Sequence, residues 1–141
     1  GAPTPDTDEW IRFGGGELAI ERGVVLVVDD QPSVREFAVR VLRRRGYTVL
    51  EAVSGPAAVE MAEAAAGRIQ LLLTDVVLPG MRGDELARTL QGSNPDLRVV
   101  FMSGYAEDEL MKQGIESVGT AYITKPFDAS VLTLMVEGAL Q

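Results

Sequence analysis

Short apolar runs alternate with amphipathic stretches along the chain from residue 24 onward. The first run, VVLVV at 24–28, is continuous and rich in β-branched residues, which is typical of a strand buried on both faces. Further strands are predicted, in chain order, over 47–52, 69–75, 97–103 and 120–124. Helix-like segments separate the strands. The pattern therefore predicts an α/β chain of five strands and five helices in strict alternation.

The predicted helices carry recognisable start and stop signals. Pro32 suits the first turn of a helix whose apolar residues recur at i, i+3, i+4, i+7 and i+8, and Gly46 ends it. Ser54 and Asp128 are predicted to cap the second and the last helix, and a weaker helix is predicted over 106–113. Because crossovers between parallel strands are nearly always right-handed, such a chain forms a parallel sheet with helices on both faces.

Residues 1–23 differ in composition from the rest of the chain. They contain Gly, Pro and acidic residues and a run of three glycines, so we expect a linker or tail before a single domain over 24–141. Three apolar residues are the exception, and they either pack against the domain or a neighbouring chain or are incidental. These residues are Trp10, Ile11 and Phe13.

Composition and charge exclude several classes of function. The chain has no cysteine and no histidine, which removes disulfides, thiolate and imidazole metal sites, and the commonest general base. A net charge of -8 argues against non-specific nucleic-acid binding. No apolar stretch approaches the ~18 residues of a membrane span, and the N-terminus lacks a signal pattern. We therefore expect a cytoplasmic protein without direct membrane contact.

Chemically reactive side chains end four of the five predicted strands. Asp29 and Asp30 end the first strand, Asp75 the third, Ser103 the fourth and Lys125 the fifth. Because the carboxyl ends of parallel strands meet at one edge of the sheet, we expect these groups to converge. Three close carboxylates need a cation, and oxygen ligands alone favour a hard ion such as Mg²⁺. A hydroxyl and an ammonium group beside them suit a phosphoryl group.

Each of these residues also has an ordinary interpretation. Asp30 or Asp75 is consistent with a simple capping role, and Ser103 with an ordinary strand end. Lys125, taken alone, is consistent with a solvated surface lysine. Two adjacent carboxylates after the first strand repel phosphate from the following helix, which disfavours a flavin mononucleotide site.

Four segments in this order and spacing resemble the receiver domain of bacterial two-component response regulators. They are VLVVDD at 25–30, LLLTDVVLPGMRG at 71–83, FMSGYAED at 101–108 and YITKPF at 122–127. The resemblance covers residues 23–141. It implies a flavodoxin-like (βα)5 fold, a doubly wound parallel sheet with strand order 2-1-3-4-5.

The resemblance also implies a role for each matching residue. Asp75 would be the nucleophile that takes a phosphoryl group from a phosphohistidine on a histidine kinase or a histidine phosphotransfer protein. Asp29 and Asp30 would hold Mg²⁺ together with Asp75 and the backbone carbonyl of Val77. Lys125 would pair with the phosphoryl oxygens.

The same resemblance implies a switch. Lys125 would precede a cis peptide bond to Pro126, Ser103 would move towards the phosphoryl group, and Tyr122 would rotate into the space released. The helix after Ser103 and the fifth strand would form the surface that partners recognise, and would be the face of any homodimer. A receiver of this kind is a self-phosphorylating switch rather than a turnover enzyme.

Two positions depart from the family pattern. Arg82 stands where the family usually has Asp, and no role is assigned to it. Val77 is apolar where many receivers are polar, close to the water that hydrolyses the phosphoryl group, so the sequence leaves the phosphate lifetime open.

The resulting hypothesis is a receiver domain phosphorylated on Asp75, most similar in its SGYAED stretch and N-terminal linker to receivers of hybrid sensor histidine kinases. The alternatives are a stand-alone response regulator and a degenerate receiver that only binds proteins. A haloacid dehalogenase-type phosphohydrolase also uses an Asp nucleophile and Mg²⁺, but it needs an Asp-x-Asp motif after its first strand, where Asp29 and Asp30 are adjacent. No DNA-binding segment follows the last helix, which disfavours direct gene regulation by this chain.

Overall fold

The computed structural model describes residues 22–65, 67–104 and 121–141. In these ranges the elements are β1 (Val24–Val28), α1 (Pro32–Arg44), β2 (Thr48–Ala52), α2 (Gly55–Ala65), β3 (Leu71–Asp75), β4 (Val77–Leu78), β5 (Met81–Arg82), α3 (Gly83–Ser93), β6 (Arg98–Ser103), β7 (Ala121–Thr124) and α4 (Ala129–Ala139). The predicted helix over 106–113, the first 21 residues of the predicted linker, and Trp10, Ile11 and Phe13 lie outside the described residues.

Five strands form one parallel sheet in the order β2-β1-β3-β6-β7. Since β6 and β7 are the fourth and fifth predicted strands, the predicted 2-1-3-4-5 order and the doubly wound α/β class are confirmed. Neighbouring strands end at similar heights, so that their carboxyl ends share one edge. The register pairs nearest this edge are Val28↔Ala52, Val28↔Thr74, Asp75↔Met102 and Ser103↔Thr124.

The core consists of two apolar layers, one on each face of the sheet. Successive residues of a strand point to opposite faces, and each face is covered by helices. One layer packs against α2 and α3 and includes Leu26, Leu72, Phe101, Ala58 and Leu86. The other packs against α1 and α4 and includes Val27, Leu73, Met102, Leu42 and Leu132. Each fully buried Val, Leu, Phe or Met side chain contributes roughly 1.5–3 kcal/mol to the free energy of unfolding, so the central strands form a rigid platform.

The predicted helix caps are confirmed. Ser54 Oγ accepts a hydrogen bond of 3.2 Å from the Ala57 N–H, and Asp128 Oδ1 accepts one of 2.8 Å from the Val131 N–H. Pro32 occupies the first turn of α1, as predicted. Within the described ranges, no helix has both the length and the apolar character that crossing a membrane requires.

The strands β4 and β5 form a short antiparallel hairpin that the sequence pattern did not predict. At the tip of this hairpin Gly80 has φ +75°, a left-handed conformation that favours glycine. The side chain of Met81 lies against Gly55 at the start of α2. The hairpin therefore carries the chain from Asp75 to α3 while it stays packed on the domain.

Gly83 brings the start of α3 against the end of β3. Its N–H donates a hydrogen bond of 2.7 Å to the Val76 carbonyl. A Cβ at this position would overlap the carbonyl oxygen of Asp75 and lie 3.0 Å from the Val76 Cα. These are backbone atoms of the central strand end, so they cannot move aside as a flexible side chain would.

We expect the substitution Gly83→Ala to lower the free energy of unfolding by roughly 1–3 kcal/mol, because the added methyl group displaces the backbone at Asp75. Gly92→Ala is the matched control on the same helix, since a Cβ there has no atom within 4 Å. The control should raise stability by up to about 1 kcal/mol. Equilibrium denaturation in urea measures the free energy of unfolding of both variants. Equal effects of the two substitutions would contradict the steric argument.

Candidate functional site

Three carboxylates meet at the carboxyl edge of the sheet. Each of Asp29, Asp30 and Asp75 offers an oxygen atom within 4.8 Å of the others. Asp29 is fully buried and Asp75 is 7% exposed, whereas Asp30 is exposed. The convergence follows from the sheet order, because β1 and β3 are neighbours and both end at this edge. The structure thus brings together the three acids that the sequence singled out.

Asp29 is held from both sides, but one of its oxygen atoms has no hydrogen bond. Its N–H donates to the Ala52 carbonyl at 3.3 Å, and its Oδ1 accepts from the Gln31 N–H at 2.9 Å. Oδ2 is buried and receives no hydrogen bond. Lys125 Nζ is 3.0 Å from Oδ2. Since that approach lacks hydrogen-bond geometry, the contact is an ion pair, and Oδ2 remains able to bind a further cation.

The ammonium group of Lys125 lies between the acids. Besides its contact with Asp29, Nζ donates to Asp75 Oδ2 at 3.1 Å and to Gln31 Oε1 at 3.4 Å. Burial by itself would lower the pKa of Lys125. The close contact with Asp29, the hydrogen bond to Asp75 and the negative charges of both acids outweigh burial and raise the pKa of this side chain. Lys125 is therefore a fixed positive charge at neutral pH.

Asp75 lies at the centre of the predicted site, close to both Asp29 and Lys125. Burial raises the pKa of the Asp75 carboxyl group, the nearby Lys125 opposes that rise, and the negative charge of Asp29 adds to it. Oδ1 accepts a long hydrogen bond of 3.4 Å from the Val77 N–H, and the Asp75 carbonyl accepts one of 2.9 Å from Thr74 Oγ1. The ionised carboxylate is thus poorly compensated in the folded protein.

Ser103 and Lys125 sit at the ends of the next two strands. Ser103 is 6% exposed, and its carbonyl accepts a hydrogen bond of 2.8 Å from the Lys125 N–H. The peptide bond from Lys125 to Pro126 is cis, as the resemblance implied. Tyr122 is 41% exposed and lies on β7, the edge strand of the sheet. The structure therefore places all four predicted strand ends at one edge, with Tyr122 three residues before Lys125.

Arg82, to which no role was assigned from the sequence, contacts Asp84 at the start of α3. Its Nε and Nη2 donate to the two carboxylate oxygens of Asp84 at 3.0 and 3.2 Å, and Arg88 Nη2 reaches Asp84 at 3.2 Å. Asp84 is 4% exposed, so the two guanidinium groups compensate a buried charge. The spacing of Arg82, Asp84 and Arg88 on one helix start is the signal that could have predicted this cluster.

Arg35 supports the backbone that carries the acids. Nη1 donates to the Asp29 carbonyl at 3.0 Å, and Nε pairs with Glu51 at 3.1 Å. The Arg35 side chain is only 13% exposed. Sequence reasoning missed this residue because its partners lie on two different strands.

The acid cluster fits a hard divalent cation. All candidate ligands are oxygen atoms, and the buried Asp29 Oδ2 accepts no hydrogen bond. Three carboxylates face one ammonium group, which leaves an excess of negative charge for a cation to neutralise. Mg²⁺ is bound by a few carboxylates and keeps several waters, so the exposed Asp30 side of the cluster leaves room for its hydration.

Comparison with known proteins identifies the class to which this fold and site belong. The family model for the response regulator receiver domain matches residues 25–137. The chain therefore belongs to the response regulator receiver domain family. Receiver domains interact with histidine kinases or phosphotransfer proteins and generally bind Mg²⁺ at an acidic cluster, which here corresponds to Asp29, Asp30 and Asp75.

Individual relatives differ in their architecture. The chain is 39% identical over 117 residues to the sensor kinase CckA of Brucella abortus, covering 83% of this chain and 12% of that protein. It is 33% identical over 116 residues to the response regulator receiver protein CpdR of the same organism, covering 82% of this chain and 95% of CpdR. The crystal structure of the receiver domain from the hybrid histidine kinase CckA superimposes with a TM-score of 0.71 at 37% identity, covering 84% of this chain and all of that one.

We expect the substitution Asp75→Asn to raise Tm at pH 7 in a chelator-containing buffer. Burial lifts the folded-state pKa above the ordinary 3.8, so the contribution of Asp75 to stability falls as the pH rises through the folded-state value. Removing the charge should raise Tm by roughly 3–5 °C, equivalent to about 1 kcal/mol. The gain should disappear below about pH 3.8, where the wild-type carboxyl group is protonated in both states.

Asp96→Asn is the matched control, because Asp96 is exposed before β6 and outside the acid cluster. Thermal denaturation followed by circular dichroism measures both variants across pH. An equal or lower Tm for Asp75→Asn at pH 7 would mean that the ion pair with Lys125 more than compensates the buried charge.

Proposed function

We propose that this receiver domain acts as the phosphoacceptor of a two-component phosphorelay, with Asp75 as the residue that is phosphorylated. The observation that carries the proposal is the position of Asp75 at the end of the central strand β3, nearly buried, with Lys125 Nζ 3.1 Å from its Oδ2. A carboxylate in these surroundings is poorly compensated, so that a bound divalent cation relieves the excess of negative charge, and the cation together with Lys125 offsets the further negative charge that a phosphoryl group brings.

The proposed transfer moves one phosphoryl group between two side chains. A carboxylate oxygen of Asp75 forms the new P–O bond, and the P–N bond of the partner's phosphohistidine breaks. The electron pair of that bond stays on the imidazole, which then takes a proton from solvent. The product on this chain is an acyl phosphate. Little covalent work is required of the protein, since positioning and charge neutralisation account for most of the catalysis.

Within this chain, the positive charge that would stabilise the phosphoryl group comes from Lys125. Its ammonium group already contacts Asp29 and Asp75, so a short shift brings it onto the new phosphoryl oxygens. Asp29, Asp30, Asp75 and the Val77 carbonyl would hold Mg²⁺. When bound, that ion neutralises charge that develops on the phosphoryl oxygens.

The switch would pass through Ser103 and Tyr122. The hydroxyl of Ser103 would donate a hydrogen bond to the phosphoryl group, and the half-exposed Tyr122 would rotate towards the space that Ser103 leaves. Tyr122 lies on the edge strand β7, which comes after the helix predicted over 106–113 in the sequence. This edge would be the surface that a downstream partner or a second receiver recognises.

The relatives agree with two kinds of parent protein for this receiver domain. The similarity to the receiver of CckA supports a receiver that belongs to a hybrid histidine kinase, which is the context we favour. The similarity to CpdR over 95% of its length supports a stand-alone regulator as the alternative. In both contexts the phosphoryl donor would be a histidine kinase or a histidine phosphotransfer protein.

Incubation with acetyl phosphate and Mg²⁺ should give a single phosphoryl adduct on the intact chain, measured by mass spectrometry. The adduct should be absent without Mg²⁺ and absent in Asp75→Ala. Asp96→Ala is the control, since it removes an exposed acid outside the cluster and should leave the adduct unchanged. The physical reason is that Asp75 pairs with Lys125 and is still reachable from solvent, with a side chain that is 10% exposed, whereas Asp29, the other acid on Lys125, is fully buried.

The remaining outcomes distinguish the rival functions. Steady turnover of small phosphate esters would favour a phosphohydrolase of the haloacid dehalogenase type. If neither acetyl phosphate nor a beryllium fluoride mimic changes the protein, and Mg²⁺ does not shift its Tm, the degenerate binding module would be the better description.

The size of the native protein separates the two contexts. An antibody raised against residues 22–141 should detect a species much larger than 15.1 kDa in the source cells if the receiver belongs to a hybrid kinase. Detection by immunoblot under denaturing conditions measures this directly. A band near 15.1 kDa alone would instead identify a stand-alone regulator.

A further inference from the structure

Gln31 directs its side chain at the phosphoacceptor site instead of capping its own helix. Gln31 is the N-cap residue of α1, where a polar side chain usually accepts a hydrogen bond from the first turn, but it makes no such bond. Its Oε1 instead accepts a hydrogen bond of 3.4 Å from Lys125 Nζ, across 94 residues of sequence. The side chain is exposed, so it lies at the mouth of the site and is open to water.

The backbone of Gln31 is fixed by the same cluster. Its N–H donates to Asp29 Oδ1 at 2.9 Å, and its carbonyl accepts from the Arg35 N–H at 3.0 Å. The amide group therefore projects from a rigid point beside the acids. Oε1 and Asp75 Oδ2 both lie within 3.4 Å of the same nitrogen of Lys125. A phosphoryl group on Asp75 would be close to this amide.

Gln31 is chemically suited to hold a water molecule. Among the described side chains that contact the Lys125 ammonium group, Asp29 and Asp75 are charged and Gln31 is neutral. An ammonium group only donates, so the amide must present its oxygen to it, and that oxygen has a second lone pair. Val77, beside Asp75, is 47% exposed but has an apolar side chain. It cannot orient water by a hydrogen bond.

We propose that Gln31 positions the water that hydrolyses the phosphoryl group on Asp75, and so sets the lifetime of the phosphorylated state. This inference rests on the proposed phosphorylation of Asp75. The amide oxygen accepts a hydrogen bond from the water, while the same oxygen keeps its contact with Lys125, which holds the phosphoryl group. The water is thereby fixed relative to the phosphorus atom.

The hydrolysis step is balanced without a further reactant. The oxygen of the water forms a bond to phosphorus, and the bond between phosphorus and the Asp75 oxygen breaks. Asp75 leaves as a carboxylate, and the protons of the water pass to the released phosphate and to solvent. Gln31 takes no proton in this step, because an amide is not a base at neutral pH. Its contribution is orientation alone.

The test compares the formation and the loss of the adduct in variants of the 141-residue chain. Wild type, Gln31→Met and Gln31→Glu are phosphorylated with acetyl phosphate and Mg²⁺, the donor is removed by desalting, and intact mass is followed over time. Methionine keeps the length of the side chain but removes the oxygen, whereas glutamate keeps an acceptor oxygen. Gln91→Met is the matched control, since the Gln91 amide on α3 contacts the Leu97 carbonyl.

We expect Gln31→Met to slow hydrolysis about tenfold, below the 10²–10⁴-fold typical of a true acid or base, because only orientation is lost. The phosphoryl group of Gln31→Glu should be hydrolysed several times faster than that of Gln31→Met, and the rate of Gln91→Met should match that of wild type. Adduct formation should stay within about twofold of wild type in all variants.

Three results would overturn the role of Gln31. They are an unchanged lifetime in Gln31→Met, a lifetime in Gln31→Glu equal to that in Gln31→Met, and a parallel change in formation and hydrolysis. The last result would mean that Gln31 acts through Lys125 and not on water. Absence of an adduct in every protein, wild type included, would instead overturn the proposed function on which the inference rests.

Discussion

The contact of the Lys125 ammonium group with Asp29 and Asp75 is the interaction on which the site depends. It joins the ends of three strands, since Asp29 follows β1, Asp75 ends β3 and Lys125 follows β7. Removing the Lys125 charge would leave both acids without their positive partner, and the loss of such a partner typically costs about 3–5 kcal/mol. The sheet order places this positive charge between acids that would otherwise repel one another.

The negative charge of the site is only partly compensated, and the stability of the apolar core offsets this cost. The raised pKa of Asp75 and the unbonded Asp29 Oδ2 show that folding alone does not satisfy these groups. Two apolar layers, one on each side of the sheet, supply the stability that the edge lacks. Poorly compensated charge in a rigid frame is typical of sites that bind ions or undergo chemistry. The stable apolar core is therefore what allows the uncompensated charge at the edge of the sheet to exist.

The sequence predicted the sheet, its order, the caps at Ser54 and Asp128 and the residues at the strand ends, because each depends on a local pattern or on family-specific spacing. It did not predict the hairpin of β4 and β5, whose two-residue strands are too short to show a period. It also missed the contacts of Arg35 and Gln31, since both join residues far apart in sequence. Arg82 appeared anomalous in a family comparison, but its bidentate pairing with Asp84 gives it an ordinary structural role.

The strand ends supply the acids, the hydroxyl and the lysine of the site, whereas the outward faces of α1 and α4 contribute none of them. Residues on those faces, such as Arg40 and Leu134, can change without touching the reactive edge. The composition of these outward faces and the groups of the site are therefore independent of each other. Substitutions can accumulate on the helices while the strand ends stay unchanged, so two chains of this fold can share one site and differ over much of their surface.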